Sequence, residues 1–116
     1  MSTVMNTEAF WSRVEEDGPL ARDLINLFFM ETPRILSDLR AAVLAHDGVG
    51  LKRAAHAMRG MVANFSAPSA VDAAGVLEEM GRSGDLAKAE EAFDILDRQL
   101  VYLRSALAHF EEGIIA

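Results

Sequence analysis

The chain has 116 residues and no cysteine, which excludes disulfide bonds and thiolate zinc sites. Its 18 acidic residues outnumber its 11 basic ones, and the net charge of -7 argues against a nucleic-acid partner because neutralising phosphates needs a broad basic face. With 51% hydrophobic and 25% charged residues, the composition is that of one globular domain. No apolar run approaches the roughly 18 residues of a membrane span, and the first residues lack the basic and apolar regions of an export leader, so we expect neither export nor a membrane span. We therefore expect one soluble, cytoplasmic domain over residues 1–116.

Residues 1–16 are predicted to form an N-terminal extension that contains one short helix. Asn6 or Thr7 can cap this helix, because a short polar side chain satisfies the free amides of the first turn. Phe10 and Trp11 lie on its apolar side. Such a short helix is unstable alone, so we expect these aromatic side chains to cover one end of the domain.

A helical bundle is predicted over residues 19–110. Pro19 suits the first turn of a helix. Thr32-Pro33 should interrupt that helix, because proline lacks the amide donor, and Thr32 can cap a restart that lasts as far as Asp47-Gly48. The predicted apolar stripe of these two parts is Leu20, Leu24, Leu27, Phe28, Ile35, Leu36, Leu39 and Val43.

Two further helices are predicted after a central one. Ser69 and Asp72 resemble a capping box, while Gly81 and Gly84 should end the helix that it starts. Its inward face is predicted to be Val71, Ala73, Ala74, Val76, Leu77 and Met80. The last helix has the regular stripe Leu86, Ala89, Phe93, Leu96, Leu100, Leu103, Leu107 and Phe110, and residues 111–116 read as a tail. The predicted fold is an all-α antiparallel four-helix bundle with one or two accessory N-terminal helices.

The central helix, residues 51–65, separates its residues into two sides when wound at about 100° per residue. His56 lies opposite the apolar side and should therefore point into water. Its side of the helix also carries Lys52, Arg53, Arg59, Gly60, Ala63 and Asn64. Between Gly48 and Val71 there are three basic residues and no acidic one. A positive patch on an acidic protein suggests that an anion is handled there.

An exposed imidazole titrates near neutral pH and can accept a phosphoryl group on nitrogen. Lys52 and Arg59 are one turn away on either side of His56, so both can stabilise the added negative charge. Small residues at Gly60 and Ala63 leave room for a partner. The sequence has no glycine-rich nucleotide loop and no evident magnesium carboxylate cluster, so it indicates a carrier that does not take phosphate from ATP by itself.

Two short motifs, His56-Ala57-Met58-Arg59-Gly60 and Asn64-Phe65-Ser66-Ala67, resemble the histidine-containing phosphotransfer domain of bacterial phosphorelays. The resemblance extends from about Leu20 to Phe110 and includes the Thr-Pro pair, a Gly-Asp-Leu stretch before the last helix and that helix's leucine stripe. Two positions depart from the family pattern. Arg59 stands where the family usually has lysine, which keeps the charge but changes its geometry, and Ser66 stands where it often has glycine.

The resemblance implies a phosphocarrier and not an enzyme. His56 would take a phosphoryl group from a receiver-domain aspartate or a kinase and pass it to a response-regulator aspartate. Lys52 and Arg59 would stabilise the phosphate, and no cofactor or metal would belong to this chain, because the receiver would supply magnesium. The expected partners are receiver domains and a sensor histidine kinase, with neither nucleic acid nor membrane, and the protein is expected to be a monomer. The partner-binding positions would be Arg53, Ala57, Gly60, Ala63 and Asn64.

Two other functions compete with this interpretation. The same fold could be an interaction module that binds or sequesters a receiver or kinase without carrying phosphate. A metal or cofactor bundle is less favoured, because His46, His56 and His109 lack partners at helical spacing. His46 and His109 are expected to be structural or solvated. The methionines at 58, 61 and 80 are expected to fill the core.

Overall fold

The computed structural model describes residues 4–115, which form five helices and no strand. The helices are α1 (Thr7–Arg13), α2 (Gly18–Leu44), α3 (Gly48–Ala63), α4 (Pro68–Ser83) and α5 (Ala89–Ile115). Short connections link the consecutive helices α2, α3, α4 and α5, and each of these helices packs against the next. Since α2 also contacts α5, the four helices close into an antiparallel bundle. The all-α prediction is confirmed, with α1 as the accessory helix. No helix in this part of the chain is both long and apolar enough to cross a bilayer.

The apolar stripe of α2 differs in part from the prediction. Leu20 and Leu27 are 44% and 43% exposed, so their assignment to the core is wrong. The buried face instead comprises Ala21, Ile25, Phe28, Thr32, Leu39, Ala42 and Val43. From Ala21 to Thr32 these residues are spaced by three and four, which places the two exposed leucines on the flank of the buried face.

The predicted interruption at Thr32-Pro33 does not occur, because α2 continues through Pro33. Proline in a helix removes one backbone hydrogen bond at a cost of about 3 kcal/mol. Phe28 and Leu39, on either side of it, are both fully buried. Packing of the two halves against the same core outweighs the local cost. Thr32 is therefore a buried residue within the helix and not a cap.

Both ends of α4 also differ from the prediction. Its N-cap is Ala67, which makes no side-chain cap hydrogen bond, so the expected capping box at Ser69 is absent. Gly81 lies inside the helix, and Gly84 alone ends it, with a left-handed φ of 81° that glycine adopts without strain. Val76, which was predicted to face inward, is half exposed.

The last helix starts later and ends later than its stripe suggests. It begins at Ala89, three residues after the half-buried Leu86, and it includes the residues predicted as a tail as far as 115. Phe110 and Ile114 explain the extension, because both pack against the core from successive turns. The central stripe Leu96, Leu100, Leu103 and Leu107 is fully buried, as predicted.

An aromatic cluster closes one end of the bundle. The ring of Phe10, from α1, lies 5.3 Å from that of Phe65 and 5.4 Å from that of Phe110. Asn6 caps α1 by accepting a hydrogen bond from the amide of Ala9 at 3.0 Å. The predicted role of α1 as a cover for the bundle end is confirmed.

At the other end, α3 and α4 approach until their backbones touch. A Cβ atom on Gly81 would lie 2.5 Å from the amide nitrogen of Lys52 and 2.7 Å from the carbonyl oxygen of Gly48. Only glycine allows so close an approach. This contact fixes the position of α4 relative to the histidine helix, and residues one turn earlier on α4 therefore reach the side of α3 that carries His56.

Candidate functional site

His56 lies on the exposed side of α3, as its spacing predicts. The helix begins at its N-cap Asp47, whose carboxylate accepts a hydrogen bond from the amide of Gly50 at 2.9 Å. Its buried face consists of Leu51, Ala54, Ala55, Met58 and Val62. The side chain of His56 points away from this face and is 68% exposed. The fold thus holds the imidazole in water on a well-packed helix.

A carboxylate from the neighbouring helix holds the imidazole. Oε2 of Glu78, on α4, lies 2.9 Å from Nδ1 of His56. A carboxylate can only accept a hydrogen bond, so Nδ1 carries the proton and the lone pair of the neutral ring is on Nε2. No hydrogen bond within residues 4–115 reaches Nε2.

The second oxygen of Glu78 faces a cation. Oε1 lies 3.2 Å from Nε of Arg59, and the two form an ion pair without the alignment of a hydrogen bond. The side chain of Glu78 is only 9% exposed, whereas that of Arg59 is 44% exposed. The buried carboxylate of Glu78 therefore contacts both His56 and Arg59, which lies one helical turn after the histidine.

Sequence reasoning did not identify Glu78. The positive patch on α3 contains no acidic residue in sequence, but in space α4 supplies one. The spacing of α4 could have revealed that Glu78 faces inward, because it lies four residues after Ala74 and three before Gly81, both of which are buried. An acidic side chain within an inward face needs a partner, because an unpaired buried charge is costly.

The remaining cationic and small positions on α3 are open to solvent. Lys52, Arg53, Ala57 and Gly60 are exposed. Neither Lys52 nor Arg53 makes an ion pair with any other described residue. A Cβ atom on Gly60 would find nothing within 4 Å. This face of α3 is therefore accessible around the histidine.

The two predicted positions at the end of α3 are less accessible. Ala63 is half-buried, and its carbonyl oxygen accepts a hydrogen bond from Arg13. Asn64 is the half-buried C-cap of the helix. His46, in the connection between α2 and α3, and His109, on α5, are both exposed, as expected for solvated residues. Across residues 4–115 no three His, Asp or Glu side chains form a group that could hold a metal ion.

A helical bundle that presents an exposed imidazole beside a carboxylate and cations has the features of a phosphohistidine carrier. The Hpt domain model matches residues 23–112 of this chain. The chain therefore belongs to the Hpt domain family, and its function is histidine phosphotransfer in a phosphorelay.

The fold has a counterpart among solved structures. The crystal structure of histidine-containing phosphotransfer protein B (HptB) from Pseudomonas aeruginosa PAO1 superposes with a TM-score of 0.87 at 23% sequence identity. The match covers 94% of this chain and 95% of the other. At this identity the likeness establishes a shared fold. No curated protein matches the chain.

Proposed function

We propose that His56 is the phosphoacceptor of this phosphorelay protein. It takes a phosphoryl group from the aspartyl phosphate of a receiver domain, or from a sensor histidine kinase, and passes it to a response-regulator aspartate. The observation that carries the proposal is the exposed ring whose Nδ1 is bound to Glu78. That bond fixes the tautomer whose nucleophilic nitrogen, Nε2, is the one left without a protein partner.

The step conserves atoms and charge. The lone pair of Nε2 attacks phosphorus, the bond from phosphorus to the aspartyl oxygen breaks, and the aspartate leaves as a free carboxylate. The ring gains positive charge as the nitrogen–phosphorus bond forms. Glu78 stabilises that charge through the hydrogen bond that it accepts from Nδ1. Transfer to the next aspartate is the reverse reaction, with the imidazole as leaving group.

Exposed cations support the phosphoryl group. Arg59 and Lys52 lie one turn after and one turn before His56, where they can neutralise phosphate oxygens. The same charges repel a divalent cation, which supports a magnesium ion held by the docked receiver and not by this chain. The open surface at Arg53, Ala57 and Gly60 suits docking of that receiver, with Ala63 and Asn64 at its edge.

The protein is accordingly a carrier with a covalent phosphohistidine intermediate. Its sequence offers no glycine-rich loop for a nucleotide, so a kinase or a phosphorylated receiver supplies the phosphoryl group. We further propose that it acts as a monomer in the cytoplasm, where one exposed face of α3 meets each partner in turn.

The test is phosphotransfer from a receiver domain charged with radiolabelled phosphate. The protein should acquire acid-labile, base-stable label, and His56→Gln should abolish it. His109→Gln is the matched control, because His109 is also exposed but lies on α5. Label that persists in His56→Gln would refute the assignment. A receiver that still binds His56→Ala, together with no transfer by the unmutated protein, would select the interaction module instead.

The docking face has its own test. Gly60→Leu should slow phosphotransfer and weaken receiver binding by steric exclusion. Gly113→Leu is its control, because a Cβ atom at either glycine meets nothing within 4 Å. Transfer rates that are equal in the two variants would place the docking surface elsewhere.

A further inference from the structure

We propose that Arg59 and Glu78 are a matched pair, in which the arginine serves the phosphoryl group on His56 while its Nε remains with Glu78. This inference rests on the proposed role of His56. It gives the arginine at position 59 a role that a lysine there could not fill. Glu78 is accordingly a positioning residue, because it acts through His56 and Arg59 and does not touch the phosphoryl group.

The two oxygens of Glu78 are assigned to different partners. Oε2 accepts from Nδ1 of His56 at 2.9 Å, and Oε1 lies 3.2 Å from Nε of Arg59. The carboxylate is nine-tenths buried on α4 and has little freedom to turn away. A buried carboxylate attracts a nearby cation strongly, because its own desolvation must be compensated. Any cation at position 59 is therefore drawn towards Glu78.

Arginine and lysine respond differently to this attraction. A guanidinium has five N–H donors in a planar fork, so Nε can face Glu78 while the terminal nitrogens remain for phosphate oxygens. Within residues 4–115, the ion pair of Arg59 uses Nε. A lysine ammonium is a single compact charge. If it sits on Glu78, it is withdrawn from His56.

The path of the Arg59 side chain supports the assignment of Nε to Glu78 and of the terminal nitrogens to phosphate. A Cβ atom on Gly75, one turn before Glu78, would lie 4.0 Å from Cδ of Arg59. The methylene chain therefore passes beside α4 at Gly75 and brings Nε to the carboxylate. About half of the side chain stays exposed, in keeping with terminal nitrogens that reach solvent.

A double-mutant cycle on the transfer rate tests the pairing. Arg59→Lys should slow transfer roughly tenfold, because its ammonium stays on the carboxylate. Glu78→Gln keeps an oxygen for Nδ1 and removes the competing charge. In that background, Arg59→Lys should cost about threefold or less. Arg34→Lys is the matched control, because Arg34 also pairs with a glutamate, Glu31, but lies exposed on α2, and it should leave the rate unchanged.

A second measurement does not depend on phosphate. Nitrogen-15 spectra of the unphosphorylated protein should show the Nδ1–H tautomer of His56 in the unmutated chain and in Arg59→Lys. Glu78→Ala should shift the ring towards the Nε2–H tautomer. A merely structural role of Glu78 would leave the tautomer unchanged.

The outcomes separate this inference from the proposed function. If the unmutated protein takes no phosphate on His56, the proposed function fails and the inference falls with it. If transfer is intact but Arg59→Lys costs the same in both Glu78 backgrounds, only the pairing is overturned. An unchanged tautomer in Glu78→Ala would also overturn it.

Discussion

Replacing Gly81 with alanine tests the backbone contact that sets α3 against α4. The added methyl would lie 2.5 Å from the amide nitrogen of Lys52, whereas ordinary contact begins at 3.4 Å, so the helices must separate by about 1 Å. Helix propensity alone favours alanine over glycine by about 1 kcal/mol. Overpacking of this kind costs about 1–3 kcal/mol or more, and here it opposes backbone atoms that cannot rotate away. We expect a net loss of about 1–2 kcal/mol.

The assay is urea unfolding followed by circular dichroism, with thermal melts alongside. A loss of 1–2 kcal/mol corresponds to a fall of about 4–8 °C in Tm for a domain of this size. Gly60→Ala is the matched control, because a Cβ atom there meets nothing within 4 Å. Only the higher helix propensity of alanine then acts, and the free energy of unfolding of Gly60→Ala should rise by up to about 1 kcal/mol.

The displacement should also reach the functional site. Glu78 is one turn before Gly81, so a separation of about 1 Å would lengthen its bond to Nδ1 of His56 beyond normal hydrogen-bond range. Phosphotransfer should slow in Gly81→Ala even where the protein is fully folded. If Gly81→Ala proves as stable as Gly60→Ala, the reasoning about the helix contact is refuted.

Three further substitutions probe other parts of the fold by urea unfolding. Ser66→Gly should add about 0.5–1 kcal/mol, because Ser66 has a φ of 52° that glycine adopts without strain; Ser69→Gly, inside α4, should instead destabilise, and a loss in both would contradict the strain. Phe10→Ala should cost about 3–5 kcal/mol, because the ring is fully buried in the aromatic cluster; a loss below about 1 kcal/mol would show that α1 does not contribute to the core. Asp47→Ala should cost about 1 kcal/mol of stability, because it removes the N-cap of α3. Asp38→Ala, at an exposed position within α2, should cost less, and equal losses in the two variants would count against the cap.

The spacing of apolar residues along the sequence predicted most of the helices, because a helix brings residues three and four positions apart onto one face. The leucine stripe of α5 is buried where predicted, and the side of α3 that carries His56 is exposed. The errors occurred where tertiary packing overrides local preference. Pro33 looks like a helix end in sequence, but burial on both sides of it keeps α2 continuous.

Sequence patterns located only part of the candidate site, for a related reason. His56, Lys52 and Arg59 are close in sequence, so helical spacing places them on one side. Glu78 follows His56 by 22 positions and is brought to it by the packing of α4 on α3. Periodicity within one helix cannot report an acidic residue on another, and the same limit hid the close approach of Gly81.

Because the carboxylate that accepts the hydrogen bond from Nδ1 of His56 comes from α4, a free peptide that contains only residues 48–63 would keep the histidine and lose the group that orients it. Such a peptide should be a poor phosphoryl acceptor, even in helix-promoting solvent. The proposed phosphoryl transfer at His56 should consequently depend on the folded domain, and moving the short histidine motif onto another protein should not transfer the activity.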